Sequence, residues 1–265
     1  MTGRRSVRRP PEWWESYFDA HYLLEYELLF SPEQDRAEAS RLLDILGLPL
    51  GSRVLDVPCG QGRHSHLLAE AGLDVTGLDY SAYLLARARE RGTGRALRYV
   101  RGDMRALPRR WTARFDAVLN LFTSFGFFLN PGDDARVIAE FARVLKPEGV
   151  LIWHGGSRDG IMAQFLDRDW WPASDGTVVA HERSFDALSG VLTIVSTWHG
   201  ARTRGTREHR IRLYTATRLA ELCADAGLIV EHAVDGWTTE PLARTTTEML
   251  LVARKQIVAR GRSRA

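Results

Sequence analysis

The feature that most restricts the fold is the alternation of short, β-rich segments with helix-length segments between residues 53 and 154. Helix starts and stops lie between most of the strand-like segments, for example a capping Ser81 and a terminating Gly92. Parallel strands need long crossover connections, so this order favours an α/β fold with a doubly wound parallel sheet. The strand-like segments are 53–57, 74–78, 97–101, 115–121 and 150–154.

The region before this alternation predicts helices. Aromatic side chains are dense between residues 12 and 30, and Ser31 followed by Pro32 is typical of a helix start. That second helix is expected to end near Gly47. The N-terminal region therefore predicts helices packed beside the sheet.

The pattern changes again after Gly156. Three strand-like runs joined by two polar turns predict an antiparallel meander inserted into the α/β domain. Thr215 then caps a helix that ends at Gly227, and two further strands complete a sheet of seven. The meander runs are 177–185, 191–199 and 206–214, and the closing strands are 228–234 and 248–254.

The most informative segment runs from Val54 to Ser65, where a buried strand enters a turn containing Gly60 and Gly62 and a helix follows. A dinucleotide site would require a third glycine at position 65 and tolerance of a pyrophosphate. Here Ser65 occupies that position, and Asp56 just before the turn would repel a pyrophosphate. The same carboxylate suits a ligand that carries an ammonium and a sulfonium, which favours S-adenosylmethionine over NAD.

Five motifs in order then resemble the class I S-adenosylmethionine-dependent methyltransferases, in particular the branch that acts on small molecules. The resemblance implies a Rossmann-like methyltransferase fold of seven strands, N-terminal helices and an inserted antiparallel β cap. It is specific in the core, from about residue 50 to 155. The motifs are 56–62, 75–81, 102–104, 115–118 and 145–149.

The resemblance implies the following domain organisation. Residues 1–46 would form an N-terminal tail and lid helices, and residues 157–214 a substrate cap. Residues 47–156 and 215–256 would form the cofactor domain, and 257–265 a basic tail.

The resemblance also implies a set of cofactor contacts. Gly60 and Gly62 would allow the backbone to approach the methionine portion, and Asp56 would attract its amino group. Asp79 would accept both ribose hydroxyls, because two vicinal donors match one carboxylate. Tyr80 would lie against the adenine.

Further contacts are expected on both sides of the cofactor. Asp103 would accept from the adenine amino group, and the backbone N–H of Met104 would reach a ring nitrogen. Asn120 and Leu121 would line the methionine side. Cys59 departs from the glycine or alanine of many members, and is interpreted as a packing residue of the site, not a nucleophile.

Several assignments outside the core stay open. His154, at the end of the fifth strand, is the candidate catalytic base, with a structural histidine as the alternative. Tyr22, with Tyr17 and Tyr26, forms either a lid over the cofactor or a packing stripe. The tryptophans at 170 and 171 either wall a substrate pocket or pack, and the arginines at 210 and 212 either bind an anion or form salt bridges.

Composition excludes several classes of protein. No apolar run reaches membrane-spanning length, and the pair Arg4-Arg5 is not followed by a signal sequence. Two cysteines favour a reduced, cytoplasmic protein, and no metal-binding motif is present. The net charge is +3, and the excess at the two ends predicts solvated tails, which argues against a nucleic-acid partner. The terminal basic residues are Arg4, Arg5, Arg8, Arg9, Arg254, Lys255, Arg260, Arg262 and Arg264.

The sequence thus predicts a methyltransferase that transfers a methyl group to N or O, less readily C, of a small molecule. Natural-product metabolism is an association suggested by arginine-rich composition. The alternatives are a binding or scaffold protein with this fold, a catalyst of a different step, and an RNA or protein methyltransferase. The oligomeric state stays open, with a homodimer as one alternative.

Overall fold

The computed structural model describes residues 12–201 and 203–257, which form two sheets and eight α-helices. The strands are β1 (Arg53–Asp56), β2 (Asp74–Asp79), β3 (Leu97–Arg101), β4 (Phe115–Asn120), β5 (Leu145–Gly156), β6 (Arg168–Pro172), β7 (Val178–Asp186), β8 (Val191–His199), β9 (Arg204–Arg212), β10 (Leu228–Asp235) and β11 (Glu248–Lys255). The helices are α1 (Trp14–Tyr17), α2 (Ala20–Glu25), α3 (Pro32–Leu46), α4 (Arg63–Glu70), α5 (Ala82–Arg91), α6 (Pro131–Val144), α7 (Arg158–Ala163) and α8 (Ala216–Asp225). Short 3-10 helices lie at Glu27–Leu29 and Arg109–Trp111.

The larger sheet has seven strands in the order β10-β11-β5-β4-β1-β2-β3. Strands β1 to β5 are parallel, whereas β11 runs antiparallel to both β5 and β10. The prediction of a doubly wound α/β sheet is therefore confirmed. This topology brings the carboxyl ends of β1, β2, β4 and β5 to one edge, where ligands bind in such folds.

Both faces of this sheet are buried by helices. Val54 and Leu55 are neighbours in β1 and point to opposite faces, and neither is exposed to solvent. They belong to two separate apolar clusters, one containing Phe141 of α6 and the other Leu42 of α3. Strands covered on both faces read as continuous apolar runs, which is why the sequence located them well.

The smaller sheet, here called the cap sheet, is antiparallel with the order β6-β7-β8-β9. The three predicted meander strands are present within two residues of their expected bounds. Strand β6 was not predicted. It is a short edge strand with alternating exposed and half-buried residues, and it ends at Pro172, as edge strands tolerate.

Local signals at the N-terminal region act as predicted. The side chain of Ser31 caps α3 by accepting the N–H of Gln34, and Gly47 ends the helix with φ +54°. Helices α1 and α2 are short, and they lie in the N-terminal segment (residues 12–31). This segment packs against both the cofactor domain and the cap sheet.

The predicted basic tails lie mostly outside the described residues, which include none of Arg4, Arg5, Arg8, Arg9, Arg260, Arg262 and Arg264. Arg254 and Lys255 do not belong to a tail, because they lie in β11, where Arg254 donates to Glu231 at 2.8 Å. Within the described ranges, no helix is both long and apolar enough to cross a bilayer.

Candidate functional site

A cavity opens at the carboxyl ends of β1, β2 and β4, and the N-terminal segment covers it. The space between its walls is about 840 Å³ when the open mouth is included. Eleven residues, Tyr22 and ten others, are predicted from sequence to bind the cofactor. Most of them line the cavity. The predicted residues that line it are Tyr22, Asp56, Cys59, Gly60, Asp79, Tyr80, Asp103, Met104 and Leu121.

The glycine turn after β1 has the open geometry that a close ligand requires. Gly60 has φ +55°, and a Cβ placed there would meet no atom within 4 Å, so its backbone faces free space. Gly62 has φ +74° and does not line the cavity. A Cβ at Gly62 would lie 2.5 Å from the hydroxyl of Tyr99, so this glycine lets α4 pack closely.

Asp56 and Asp79 place two buried carboxyl groups beside this turn. Asp56 is 2% exposed and accepts the hydroxyl of Ser65 at 2.5 Å. Asp79 accepts the N–H of Gly60 at 2.8 Å and that of Ser81 at 2.7 Å. Burial raises the pKa of Asp56 to about 7 and that of Asp79 to about 6, so a cationic ligand would find both groups ready to ionise.

The far side of the cavity contains Tyr80, Asp103 and Met104. Asp103 is held by Arg105, which donates from Nη2 at 2.8 Å and from Nε at 3.1 Å. The Tyr80 ring meets the Trp14 ring edge to face at a centroid distance of 4.8 Å. These contacts fix an aromatic and acidic wall of the kind expected around an adenine.

Asn120 and Cys59 support the turn. Asn120 does not line the cavity; it is fully buried, and its Nδ2 donates to the carbonyl of Val57 at 2.8 Å. Cys59 lines the cavity but is 7% exposed, and burial raises the pKa of its thiol well above the ordinary value. A thiol that resists ionisation is a poor nucleophile, in agreement with its interpretation as a packing residue.

The structure places His154 outside the cavity wall. Its side chain is 2% exposed, and Nδ1 accepts the N–H of Phe122 at 3.3 Å. The opposite side of the ring meets Trp237 at a centroid distance of 4.5 Å, and Nε2 lies 3.4 Å from Glu248. These contacts correspond to the structural alternative for His154, and they do not bring its ring to the cavity wall.

Phe122 and Thr123 are the neighbours that His154 holds. Both have positive φ, +56° and +55°, in the left-handed region that bulky residues avoid. The N–H of Thr123 donates to the carbonyl of His154 at 3.1 Å, so the histidine binds both strained residues. Phe122 lines the cavity, which links this turn to the site.

The cavity wall on the N-terminal side is aromatic. Trp14, Phe18, Tyr22 and Phe30 contribute to it, whereas Tyr17 and Tyr26 do not. Burial raises the pKa of the Tyr22 hydroxyl, which therefore stays neutral. Phe18 is tied to the cofactor domain, because its carbonyl accepts the hydroxyl of Ser81 at 2.6 Å.

A buried charged cluster beside the turn was missed by sequence reasoning. Arg63 and His64 open α4 and line the cavity. Arg63 Nη1 donates to Asp35 at 2.8 Å and to Glu38 at 2.7 Å, and His64 Nε2 donates to Glu38 at 2.6 Å. A cation in the first turn of a helix opposes the helix dipole, and this anomaly was the available signal.

A second buried cluster joins the N-terminal segment to the cap sheet. Glu25 of α2 accepts from His181 Nε2 at 2.8 Å, from the hydroxyl of Tyr17 at 3.2 Å, and from Arg207. Burial alone would raise the pKa of Glu25, but the bonds from His181 and Arg207 hold it at about 2. His209 lies against Tyr17 in the same cluster, and burial lowers its pKa to about 3.

The structure also places the arginines and tryptophans of the cap sheet whose roles the sequence left open. Arg210 pairs with Glu208 on the surface, and Arg212 donates to Asp134 at 2.8 Å, so both arginines are engaged in ion pairs. Trp171 donates to the carbonyl of Glu25 at 3.2 Å, whereas Trp170 is 70% exposed. None of the described residues of 157–214 lines the cavity; the cap sheet meets the N-terminal segment instead.

Comparisons with known proteins identify the family. A family described as "Methyltransferase domain" matches residues 54–149. A glycine/sarcosine N-methyltransferase of Halorhodospira halochloris is 34% identical over 187 residues, which are 69% of this chain and 70% of that protein. A dTDP-3-amino-3,4,6-trideoxy-alpha-D-glucopyranose N,N-dimethyltransferase of Streptomyces venezuelae is 30% identical over 209 residues, 76% of this chain and 86% of that protein.

Solved structures give the same result. An amino pentose methyltransferase with bound S-adenosylmethionine, from Micromonospora echinaspora, superposes with a TM-score of 0.68 at 26% identity. The alignment covers 87% of this chain and 96% of that chain. The likeness therefore extends beyond the cofactor domain to the N-terminal and cap regions.

Proposed function

This chain belongs to the S-adenosylmethionine-dependent methyltransferases, and we propose that it methylates an amine nitrogen of a small molecule. The cofactor, when bound, supplies a methyl group already activated by a sulfonium. The protein then has to position the acceptor and exclude water, since proximity and orientation supply much of the rate.

The residues present fit this cofactor. Gly60 leaves the open space that a closely bound methionine portion needs, and Asp56 and Asp79 provide buried acid for a cationic ligand. We propose that Asp79 holds the ribose and that Asp56 attracts the ammonium. Tyr80, Asp103 and Met104 would bind the adenine, while Asn120 would act through the loop that it supports.

The observation that carries the amine proposal is the aromatic wall that the N-terminal segment gives to the cavity, a surface suited to a small acceptor held by packing. Burial raises the pKa of the Tyr22 hydroxyl, which keeps its proton, and it lowers the pKa of His64, which makes that ring a weaker base. A hydroxyl acceptor needs a base to remove its proton, whereas a neutral amine attacks with its own lone pair. The two relatives named above are N-methyltransferases, which supports the same choice.

We propose that residues 157–214 act as a substrate cap through the N-terminal segment. The Glu25 cluster fixes this segment to β7 and β9, and the opposite side of the segment forms the cavity wall. A closed pocket of this kind suits a small acceptor. A macromolecular acceptor would require an open and charged platform, so RNA or protein methylation is disfavoured.

A cytoplasmic location is also proposed. It is supported by Cys59 and Cys223, which are both buried and free.

Methyl transfer to matched acceptors tests the function. Purified protein is incubated with S-adenosylmethionine and pairs of small molecules that differ only in an amino or a hydroxyl group, such as amino sugars and their hydroxy analogues. We expect mass increases of one or two methyl groups on the amines alone. Asp79→Ala serves as the control for cofactor-dependent product.

Three results would contradict the proposal. Methylation of the hydroxy compounds at equal rates would place a base in the site. Efficient methylation of bulk tRNA, rRNA or protein, with no small acceptor accepted, would favour the macromolecular alternative. Binding of S-adenosylmethionine without transfer to any of these would favour the scaffold alternative.

A further inference from the structure

The two halves of the loop between β4 and α6 (residues 121–130) are bonded to different parts of the molecule. In its first half, the N–H groups of Phe122 and Thr123 donate to His154 of β5 in the larger sheet. In its second half, the carbonyl of Gly126 accepts the N–H of Arg212, in β9 of the cap sheet, at 2.8 Å. Five residues of this loop line the cavity, so the loop connects the cap sheet to the cavity wall.

Arg212 holds the second half of the loop by its backbone carbonyls. Its Nη1 donates to the carbonyl of Phe128 at 3.0 Å, and its Nη2 donates to that of Leu129 at 3.1 Å. The carbonyl of Phe127 accepts Nε1 of Trp13 at 3.2 Å. Together with the backbone bond described above, four consecutive carbonyls accept from outside the loop, and three of these bonds come from Arg212.

A buried carboxylate fixes the direction of the Arg212 guanidinium. The Arg212 side chain is 11% exposed, and Nη1 also donates at 2.8 Å to Asp134, a fully buried residue in the first turn of α6. The hydroxyl of Tyr214 donates to the same carboxylate oxygen at 2.7 Å. Separating a buried arginine from its carboxylate is costly, so this pair keeps the guanidinium directed at the loop.

Phe127 is the cavity-lining side chain whose backbone these bonds hold on both sides. It packs against the apolar cluster of the cap sheet that contains Leu192 and Ile211. Its ring also meets those of Trp13 and Phe18 in the N-terminal segment, at centroid distances of 5.2 and 5.5 Å. Phe127 therefore extends the aromatic wall of the cavity toward the cap sheet.

Gly126 shows how closely the loop approaches β9. Its φ is +91°, and a Cβ at this position would collide with the carbonyl oxygen of Arg212. Any larger residue would push the loop away from the cap sheet. Because Phe127 is the next residue, such a shift would move its ring and change the space beside it.

We propose that Arg212 is a positioning residue that sets the size of the acceptor pocket, because it holds Phe127 against the cavity from the cap sheet. The inference rests on the proposed methylation of a small amine, and it narrows the acceptor class to amines with little bulk beside the nitrogen. A fixed wall excludes substituents that a yielding wall admits, and one methylene group in an apolar pocket changes kcat/KM by about 10- to 200-fold. The cap sheet then acts on the acceptor without touching it.

Acceptors that differ only in bulk test the proposal. Rates are measured with the amino sugar that is methylated fastest and with its benzyl ether at the hydroxyl next to the amine. In Arg212→Gln we expect the kcat/KM of the ether relative to the parent sugar to rise at least about tenfold. Affinity for S-adenosylhomocysteine should change less than about threefold, because Phe128 keeps its contacts with Trp14 and Arg105.

Two further variants act on the same wall without removing the arginine. Phe127→Ala should raise the relative kcat/KM of the ether directly, and adding Arg212→Gln to it should have little further effect, since both changes remove the same barrier. Gly126→Ala should also raise the ratio, because it forces the loop off β9 while the side chain of Arg212 is intact.

Conservative and matched variants separate positioning from folding. Arg212→Lys keeps a cation beside Asp134 but lacks the planar pair of nitrogens, so we expect an intermediate preference for the ether. Arg210→Gln is the matched control. Arg210 lies on the same strand, and its pair with Glu208 is on the surface, so the ratio should stay at the parental value.

The outcomes have distinct meanings. A parental preference in both Arg212→Gln and Gly126→Ala would overturn the proposal. Equal loss of turnover with both sugars would also overturn it, because Arg212 would then only maintain the fold, and so would fully additive effects in the double variant. Wild-type protein that methylates no amine would contradict the proposed function, and the inference with it.

Discussion

Asp56 and Asp79 end adjacent strands, and their partners give them different tasks. Asp79 already accepts one backbone N–H on each oxygen and still has lone pairs for ligand hydroxyls. Asp56 has one hydroxyl partner, Ser65, and faces the glycine turn. At the scale of single residues, the site is therefore built from side chains that hold the loop and bind the ligand together.

Asp79→Ala is expected to weaken cofactor binding by about 1.5–3 kcal/mol, because it removes charge-assisted bonds to the ligand and the anchor of the Gly60 N–H. Calorimetry with S-adenosylhomocysteine measures the change. Asp116→Ala is the matched control, since Asp116 also accepts a backbone N–H, that of Arg53 at 2.8 Å, near the opposite end of β4. Equal affinity in the Asp79 variant would remove it from the ribose site.

His154→Ala is expected to lower stability by about 1–3 kcal/mol, because it leaves the strained Phe122 N–H without its buried acceptor. The pH dependence of turnover should keep its shape, since no base is lost. Denaturant unfolding and a pH–rate profile check the two parts. A stable variant that lacks one ionisation in its profile would favour the other alternative from the sequence, a catalytic base.

At this scale the sequence predicted the residues that carry a motif and missed those that depend on packing. The motif residues stand at the end of a strand or in the turn that follows it, so the sheet fixes their positions. They are Asp56, Gly60, Asp79 and Tyr80. Arg63 meets acids 25 and 28 residues earlier in the chain, and no local pattern pairs them. His154 ends a strand at the ligand edge, but its ring lies against Trp237, which sequence cannot show.

Among the elements, α2 connects two parts of the molecule: it contacts the cap sheet on one side, and it belongs to the segment that forms the cavity wall. Its Glu25 is fully buried yet charged, and it is the common acceptor of His181 and Arg207. Aromatic density predicted that this region packs, but not that a buried ion pair fixes it.

Strand β6 was missed for a related reason, since an edge strand with a half-exposed face has a weak alternation of apolar residues.

Glu25→Ala is expected to reduce the free energy of unfolding by about 3–5 kcal/mol, because it leaves a buried arginine and histidine without their carboxylate. Chemical denaturation measures the loss. Glu33→Ala provides the control. Glu33 pairs with Arg36 on the exposed surface, and an exposed ion pair adds little to the free energy of unfolding. A Glu25 variant as stable as the parent would show that the junction is not a structural link.

Across the whole molecule, the raised pKa values of Asp56 and Asp79 couple cofactor binding to pH. Below pH 6 both carboxyls are mainly protonated in the free protein. Asp56 attracts the ammonium only when it is ionised, and Asp79 accepts both ribose hydroxyls best as a carboxylate. Binding should therefore release protons near pH 6–7, and affinity should fall at least about tenfold from pH 7.5 to pH 5.5.

Calorimetry in buffers of different ionisation enthalpy measures the released protons. Asp56→Asn should bind the cofactor with a shallower pH dependence, because only Asp79 then remains to titrate. Affinity that does not change with pH in the parent protein would show that the carboxyls stay ionised, or that they do not contact the cation.

From the placement of the N-terminal segment we expect a fixed order of binding and release. Its aromatic residues cover the cavity, and Phe18 and Glu25 fasten it on both sides. An acceptor bound against this segment would block the exit of the spent cofactor. We therefore expect an ordered catalytic cycle: S-adenosylhomocysteine should compete with S-adenosylmethionine but not with the acceptor, and random-order inhibition patterns would contradict this. Turnover would then be limited by how often the segment lifts, and the speed of the enzyme would depend on the contacts of α2 more than on the chemistry of methyl transfer.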